Sequence, residues 1–161
     1  MIDLRAMQDR DFAWLLGESP APADAPPLCE GNVAPREVIE LIRGVAARNS
    51  GSIGGDVAWL MIAQGEAVGM ISFTRPLDGK RPEIGYGVAD SRQRRGHATG
   101  AIAALLPIAR AAGFDGLTAE TGTDNRASQV VLERNGFTRT GERTDPEDGE
   151  LYTWTIGLND E

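Results

Sequence analysis

Six consecutive residues, Gln93-Arg94-Arg95-Gly96-His97-Ala98, have the types and spacing in this chain with the clearest chemical use. A basic turn with a glycine, leading from a strand into a helix, leaves the helix's first N–H groups unpaired. Those donors, with the positive end of the helix dipole, can hold a phosphate or another anion. Arg92, Arg94 and Arg95 make this turn positive within a protein of formal charge −8. The same residues also suit a merely solvated turn, and local spacing leaves both readings open. Two other phosphate loops are excluded. No Gly-x-x-x-x-Gly-Lys-Ser/Thr occurs, and Gly85-Tyr86-Gly87 falls inside a predicted strand, whereas a dinucleotide-binding fold places its glycines in the turn.

Composition removes several classes of chemistry. The one histidine, His97, rules out histidine-based triads and multi-histidine metal sites, so no metal is expected. The one cysteine, Cys29, allows no intrachain disulfide and sits in a proline-rich loop, where it reads as a bystander thiol. An acidic chain with a pI near 4.7 argues against nucleic acid or an anionic membrane as partner, and weakly favours a cationic or amine-bearing one. No apolar run is long enough to span a bilayer and the N-terminus lacks a signal pattern, so a cytoplasmic location is expected. At 161 residues, 41% hydrophobic and 25% charged, the chain reads as one domain over 1–161 with a sizeable core.

The elements that must position the turn can be read in order. Ile2 to Ala6 suits a strand, and Asp9 to about Leu16 a helix capped by Asp9. Gly17 to Ala34 is a long loop with prolines at 20, 22, 26 and 27. Pro35 opens a second helix whose buried side is expected to be Val38, Ile39, Leu41, Ile42 and Val45. Strands over Val57–Ala63 and Ala67–Thr74 form a hairpin through Gln64-Gly65-Glu66, and a polar loop at Asp78-Gly79-Lys80 precedes the strand from Glu83. Ala98, Ile102, Leu105, Leu106 and Ala109 recur at helical spacing up to Gly113, with Pro107 inside. A helical crossover to Leu117–Thr121 makes that strand parallel to the Glu83 strand. Asp124 or Asn125 caps a short helix, and strands from Phe137 and over Leu151–Leu158 follow. The pattern is an α/β (α+β) domain. It has a central mixed, mostly antiparallel sheet of about seven strands with one splayed parallel pair, and helices on both faces. The last strand is free to pair across a homodimer.

From Glu83 to Phe137 the chain resembles the GNAT superfamily of acetyl-CoA-dependent N-acetyltransferases. That family carries Gln/Arg-x-x-Gly-x-Gly/Ala after its fourth strand, and Gln93, Gly96 and Ala98 fill those places. Its downstream helix reads Asn-x-x-Ala/Ser and then Gly-Phe, matched here by Asn125, Ser128 and Gly136-Phe137. Val131-Leu132-Glu133-Arg134 between them is most similar to the ribosomal-protein N-terminal acetyltransferase branch. The resemblance implies acetyl-CoA as co-substrate and an amine acceptor, either a protein N-terminus or a small amine. It implies a pyrophosphate on the backbone of Arg94, Arg95, Gly96, His97, Ala98 and Thr99, with Gly96 keeping the approach open. It also implies a pantetheine arm paired near Val88 and Asp90 and touched by Asn125, with an N–H near Val88 facing the thioester carbonyl.

In the family a neutral amine attacks the thioester and a thiolate leaves. Neutralising a lysine-like amine at pH 7 costs roughly 4.6 kcal/mol, an N-terminal α-amine only about 1.4. A positioned base contributes ~10²–10⁴ in rate, so it matters more for the first. Glu83, just before the turn, is one candidate base; Glu120 on the adjacent strand is the other, and either can act through water. Many members protonate the thiolate with a tyrosine seven residues after the asparagine, but Leu132 stands there. The resemblance carries that role to Ser128. The missing tyrosine also leaves a second class open, a non-catalytic acyl-CoA sensor or scaffold.

Overall fold

Residue alternation in one central hairpin sets the layering. Strand β2 (Ala58–Ala63) and strand β3 (Glu66–Phe73) are buried on both faces. Ala58, Leu60 and Met70 pack on one side with Phe12, Ile39 and Ile42, while Trp59, Met61, Ile71 and Phe73 pack on the other with Ile102, Leu105 and Leu117. The two-residue turn between them has φ 52° at Gln64 and 81° at Gly65, the doubly left-handed turn whose twist suits a hairpin. The computed structural model describes residues 2–49, 56–75 and 80–158. The loop expected at Asp78-Gly79, like Ser50–Gly55, lies outside the described residues.

The remaining elements are β1 (Asp3–Ala6), α1 (Asp9–Leu15), α2 (Arg36–Asn49), β4 (Ile84–Val88), α3 (His97–Ala111), β5 (Gly116–Gly122), α4 (Arg126–Arg134), β6 (Thr138–Asp145) and β7 (Gly149–Gly157). Helices α1 and α2 cover one face of the sheet, and α3 packs on the other beside α4. Asp9 is not the cap of α1. Gln8 takes that place, and its backbone N–H donates to Asp11 Oδ2 at 2.7 Å, so the acidic residue at the third helical position closes the end.

The sheet departs from the expected single one. Among the described residues seven strands form two antiparallel sheets, ordered β1-β2-β3-β4 and β5-β7-β6. The parallel pair survives as a single bridge between Glu83 and Thr118, with Thr118 N–H on Pro82 C=O at 3.0 Å. Beyond it β4 stays with β3 and β5 with β7, and the strands part. The last strand does not offer an edge to a second copy, because β7 lies between β5 and β6 and is paired on both sides. The helix-side expectation for α2 is also corrected. Ile39, Ile42 and Val45 are buried, but Val38 and Leu41 are 40% and 57% exposed.

Candidate active site

The basic turn sits at the start of α3. Gly96 is the cap, with φ 80°, and no side chain satisfies the helix's first N–H groups. Gly100 N–H is the donor that returns to Gly96 C=O, at 3.0 Å, which leaves the N–H groups of His97, Ala98 and Thr99 ahead of it at the open end. Arg94 also holds a left-handed backbone, φ 67°, an uncommon state for a residue with a side chain. A Cβ built on Gly96 meets nothing within 4 Å, so the protein leaves the space over the cradle clear. Arg94 and Arg95 are exposed, whereas Arg92 turns away to Glu66, Nε to Oε1 2.7 Å. Burial, and then the charge of Arg95, pushes the His97 imidazole below its usual range, so it adds no charge at neutral pH. The cradle's unpaired backbone donors, with two arginines beside them, are of the kind that can hold an anion.

Strand β4 leads from the cradle to a gap. Glu83 C=O accepts from Thr74 and Ala89 N–H donates to Val68, so these residues turn their polar backbone toward β3. Alternation then directs the backbone of Tyr86 and Val88 toward the space where β5 has parted from β4. Gln93 reaches back into this edge, its Nε2 donating to Val88 C=O at 3.1 Å and Asp90 Oδ1 at 3.3 Å. The first glutamine of the turn therefore braces the strand end, leaving the Val88 N–H as the donor facing the gap.

Two hydroxyls meet across that gap. Asn125 caps α4 by accepting the Ser128 N–H at Oδ1, 3.1 Å. The cap holds Ser128 in the first turn, and its Oγ lies 2.8 Å from Tyr86 Oη. Tyr86 Oη also lies 3.3 Å from Ser128 C=O. Burial pushes the Tyr86 phenol above its usual range, so it stays protonated. Its O–H can be given to Ser128 C=O or to Oγ, while the Oγ–H can equally be given to Tyr86 Oη. Leu132 is fully buried in the core, which places no polar group there.

The two carboxylates lie on the opposite face, each engaged by an arginine. Glu83 Oε1 accepts from Arg75 Nε at 2.7 Å, and its side chain is 20% exposed. Glu120 is gripped by both guanidinium arms of Arg143, at 2.5 and 2.8 Å. This fork, helped by the charge of Arg75, holds the Glu120 carboxyl below its usual range, which makes it a weak proton acceptor. Its folded pKa lies below the unfolded value of about 4.3. The pair's contribution to stability is thus complete above that value and is lost as pH falls through the folded one. Glu120→Gln is expected to lower stability to urea at pH 7 by about 0.5–1 kcal/mol, after allowance for solvent screening, with the difference closing as the solution is acidified. Urea titrations of both proteins across the acid range check this.

A cavity of about 650 Å³ opens on the same side, between α2, residues 30–35 and the faces of β3 and β4. It reaches β4 because the residues facing it there are Gly85 and Gly87. A Cβ at Gly87 meets nothing within 4 Å. Val38 and Leu41, exposed for want of a sheet to cover them, form its apolar wall, and it extends to Val88, Ala89 and Asp90.

A family model described as an acetyltransferase (GNAT) domain matches residues 2–138. The chain belongs to the GNAT acetyltransferase family. Among solved structures it is similar to the RimL ribosomal alpha-N-protein acetyltransferase in complex with coenzyme A, at 21% identity and TM-score 0.67 over 97% of this chain and 93% of that one. It is similar to the aminoglycoside acetyltransferase AAC(6')-Ib in complex with coenzyme A, at 19% identity and TM-score 0.68 over 98% and 95%. A GNAT acetyltransferase from Streptococcus pneumoniae aligns at 14% identity and TM-score 0.69 over 99% and 100%. These likenesses are of fold. The search of curated proteins found no match.

As a GNAT acetyltransferase the protein is an acetyl-CoA-dependent enzyme. The structure brings together the cradle, the β4 edge, Asn125 and Ser128 as a candidate site, and sets Glu83 and Glu120 on the far face. Sequence reasoning missed Tyr86, Arg75 and Arg143, which contact Ser128, Glu83 and Glu120 respectively. The strand's alternation already placed Tyr86 on the side of Ile84, toward the helix that carries Ser128, and was the signal that could have found it. No helix among the described residues is long and apolar enough to cross a membrane.

Proposed function

We propose that this enzyme transfers the acetyl group of acetyl-CoA to a primary amine by direct attack on the thioester. The observation that carries the reading is a continuous path. It begins at the uncapped N–H groups of His97, Ala98 and Thr99, follows the free edge of β4, and ends at the Tyr86–Ser128 hydroxyl pair. The cradle binds the pyrophosphate and the gap between β4 and β5 takes the pantetheine arm. Asn125, spent on its cap, acts by fixing Ser128.

Acetyl-CoA supplies an activated acyl group. Val88 N–H donates to the carbonyl oxygen as charge builds there. A carbon–nitrogen bond forms as the carbon–sulfur bond breaks, and the thiolate receives a proton from Ser128 Oγ, which takes one from Tyr86 Oη. Tyr86 regains its proton from water, to which Glu83 returns the one taken from the amine. The proton lost by the amine passes to Glu83 through water, since Glu120 is held ionised by Arg143. The hydroxyl pair also answers the reason for reading the chain as a sensor, because Tyr86 brings from β4 the phenol that Leu132 does not.

Release of free thiol, followed with a panel of primary amines and with mass spectrometry of the products, tests the reading. Turnover with at least one amine, and a product whose mass has grown by one acetyl group in place of a hydrogen, is expected. Tight binding of coenzyme A without thiol release from any amine would instead establish a sensor.

A further inference from the structure

The cavity beside β4 has a composition that separates the amines the enzyme can accept. Its wall is apolar, built from Val33, Val38, Leu41, Ile42 and Met70. Val38 and Leu41 are large hydrophobic side chains left 40% and 57% exposed on a helix whose Ile39, Ile42 and Val45 are buried. Among the described residues the only charged side chains that line the cavity are Glu30 and Asp90, both acidic and both exposed, with no lysine or arginine. A single ammonium therefore has carboxylates to meet, while its carbon body has an apolar wall to cover. A polycation has no such match. With Asp90 already accepting from Gln93 Nε2 at 3.3 Å, its second and third ammonium groups would lose water against Val38 and Leu41 with no uncommitted carboxylate beside them, which is costly.

Gly87 connects the wall to the chemistry. It faces the cavity between Tyr86 and Val88, the two residues whose backbone borders the gap, and a side chain there would enter empty space. Helix α2, residues 30–35 and the β3–β4 surface enclose the volume on three sides, and about 650 Å³ is the size of a small-molecule site. An extended peptide would instead need a groove lined by backbone donors and acceptors.

We infer that the acceptor is a small primary amine carrying one positive charge on an apolar body, and that Val38, Leu41 and Gly87 determine this specificity. The inference rests on the transferase reading for the chemistry, but its test does not depend on turnover. Phenethylamine, spermidine, kanamycin and a tetrapeptide beginning with Phe are titrated calorimetrically into the protein, alone and saturated with coenzyme A. Phenethylamine is expected to bind at least about tenfold more tightly than spermidine or kanamycin. Replacing Val38→Asn and Leu41→Asn together, both at exposed helix positions, weakens phenethylamine about tenfold and leaves the melting temperature and coenzyme A affinity unchanged. Gly87→Val, at a position with room for its side chain, excludes phenethylamine while coenzyme A still binds.

Equal or tighter binding of spermidine or kanamycin overturns the inference, as does tighter binding of the peptide. Indifference of phenethylamine to the paired Asn substitutions does the same. Should phenethylamine bind as described while no thiol is released, the transferase reading fails and the ligand assignment stands.

Discussion

Gly96→Glu raises the dissociation constant for acetyl-CoA at least about a hundredfold, with the fold retained. Three effects act in the same direction. Gly96 holds φ 80°, where a residue with a Cβ is strained by roughly 1–2 kcal/mol, so part of the substitution's effect appears as a lower melting temperature. The new side chain leaves the backbone at a point where the protein offers it only open space, which is the space the pyrophosphate needs. Its carboxylate then faces a doubly charged group. One pair of like charges at about 4 Å costs on the order of 4 kcal/mol at an effective dielectric of 20, before screening by Arg94 and Arg95. Gly96→Ala carries the backbone strain without the charge, and its loss of affinity should be much the smaller of the two. Calorimetric titration of both variants, with thermal melts alongside, separates strain from blockage. Affinity for acetyl-CoA unchanged in the Glu variant would remove the cradle from the site.

The cradle was legible in the sequence because everything that makes it is local. Gly96, the two arginines and the helix behind them lie within a few residues, and the turn's geometry follows from residue type. The same holds for Asn125 and Ser128, where the cap spans three positions. What the sequence hid depends on contacts between distant segments. Tyr86 and Ser128 are 42 residues apart, and Glu120 is 23 from Arg143. No spacing rule brings such pairs together, so Glu120 looked as free to accept a proton as Glu83.

The exposed wall of α2 was missed for a related reason. Val38, Ile39, Leu41, Ile42 and Val45 form one apolar arc, and helical periodicity assigns such an arc to the core. It cannot say how far the sheet beneath extends. Here β4 presents Gly85 and Gly87 to that side, and with no side chains there to meet the helix, part of the arc is left facing a cavity. The division of the sheet is similar. Right-handed crossover logic correctly placed β4 and β5 side by side and parallel, but the bridge at Glu83 and Thr118 is all the pairing they keep. The gap that replaces the missing ladder is the space in which the proposed chemistry takes place.

Ser128→Ala lowers kcat about a hundredfold or more while the acetyl-CoA dissociation constant stays within a factor of two, in keeping with the ~10²–10⁴ typical of a positioned acid. The Asn125 cap uses the Ser128 backbone N–H rather than its hydroxyl, so removing Oγ leaves the start of α4 intact. Tyr86→Phe keeps the ring packed beneath β4 but takes away the hydroxyl that is 2.8 Å from Oγ. Its effect should be smaller, roughly tenfold in kcat, because Ser128 can still donate once to the thiolate but is no longer polarised from behind. If the two hydroxyls act in series, the double variant turns over no more slowly than Ser128→Ala alone, since Tyr86 has nothing to act through once Oγ is gone. Independent contributions would multiply instead, to about a thousandfold. Steady-state kinetics of the three variants therefore distinguish a relay from two separate contacts. A Ser128→Ala enzyme with undiminished kcat would show that the thiolate leaves without help from either hydroxyl.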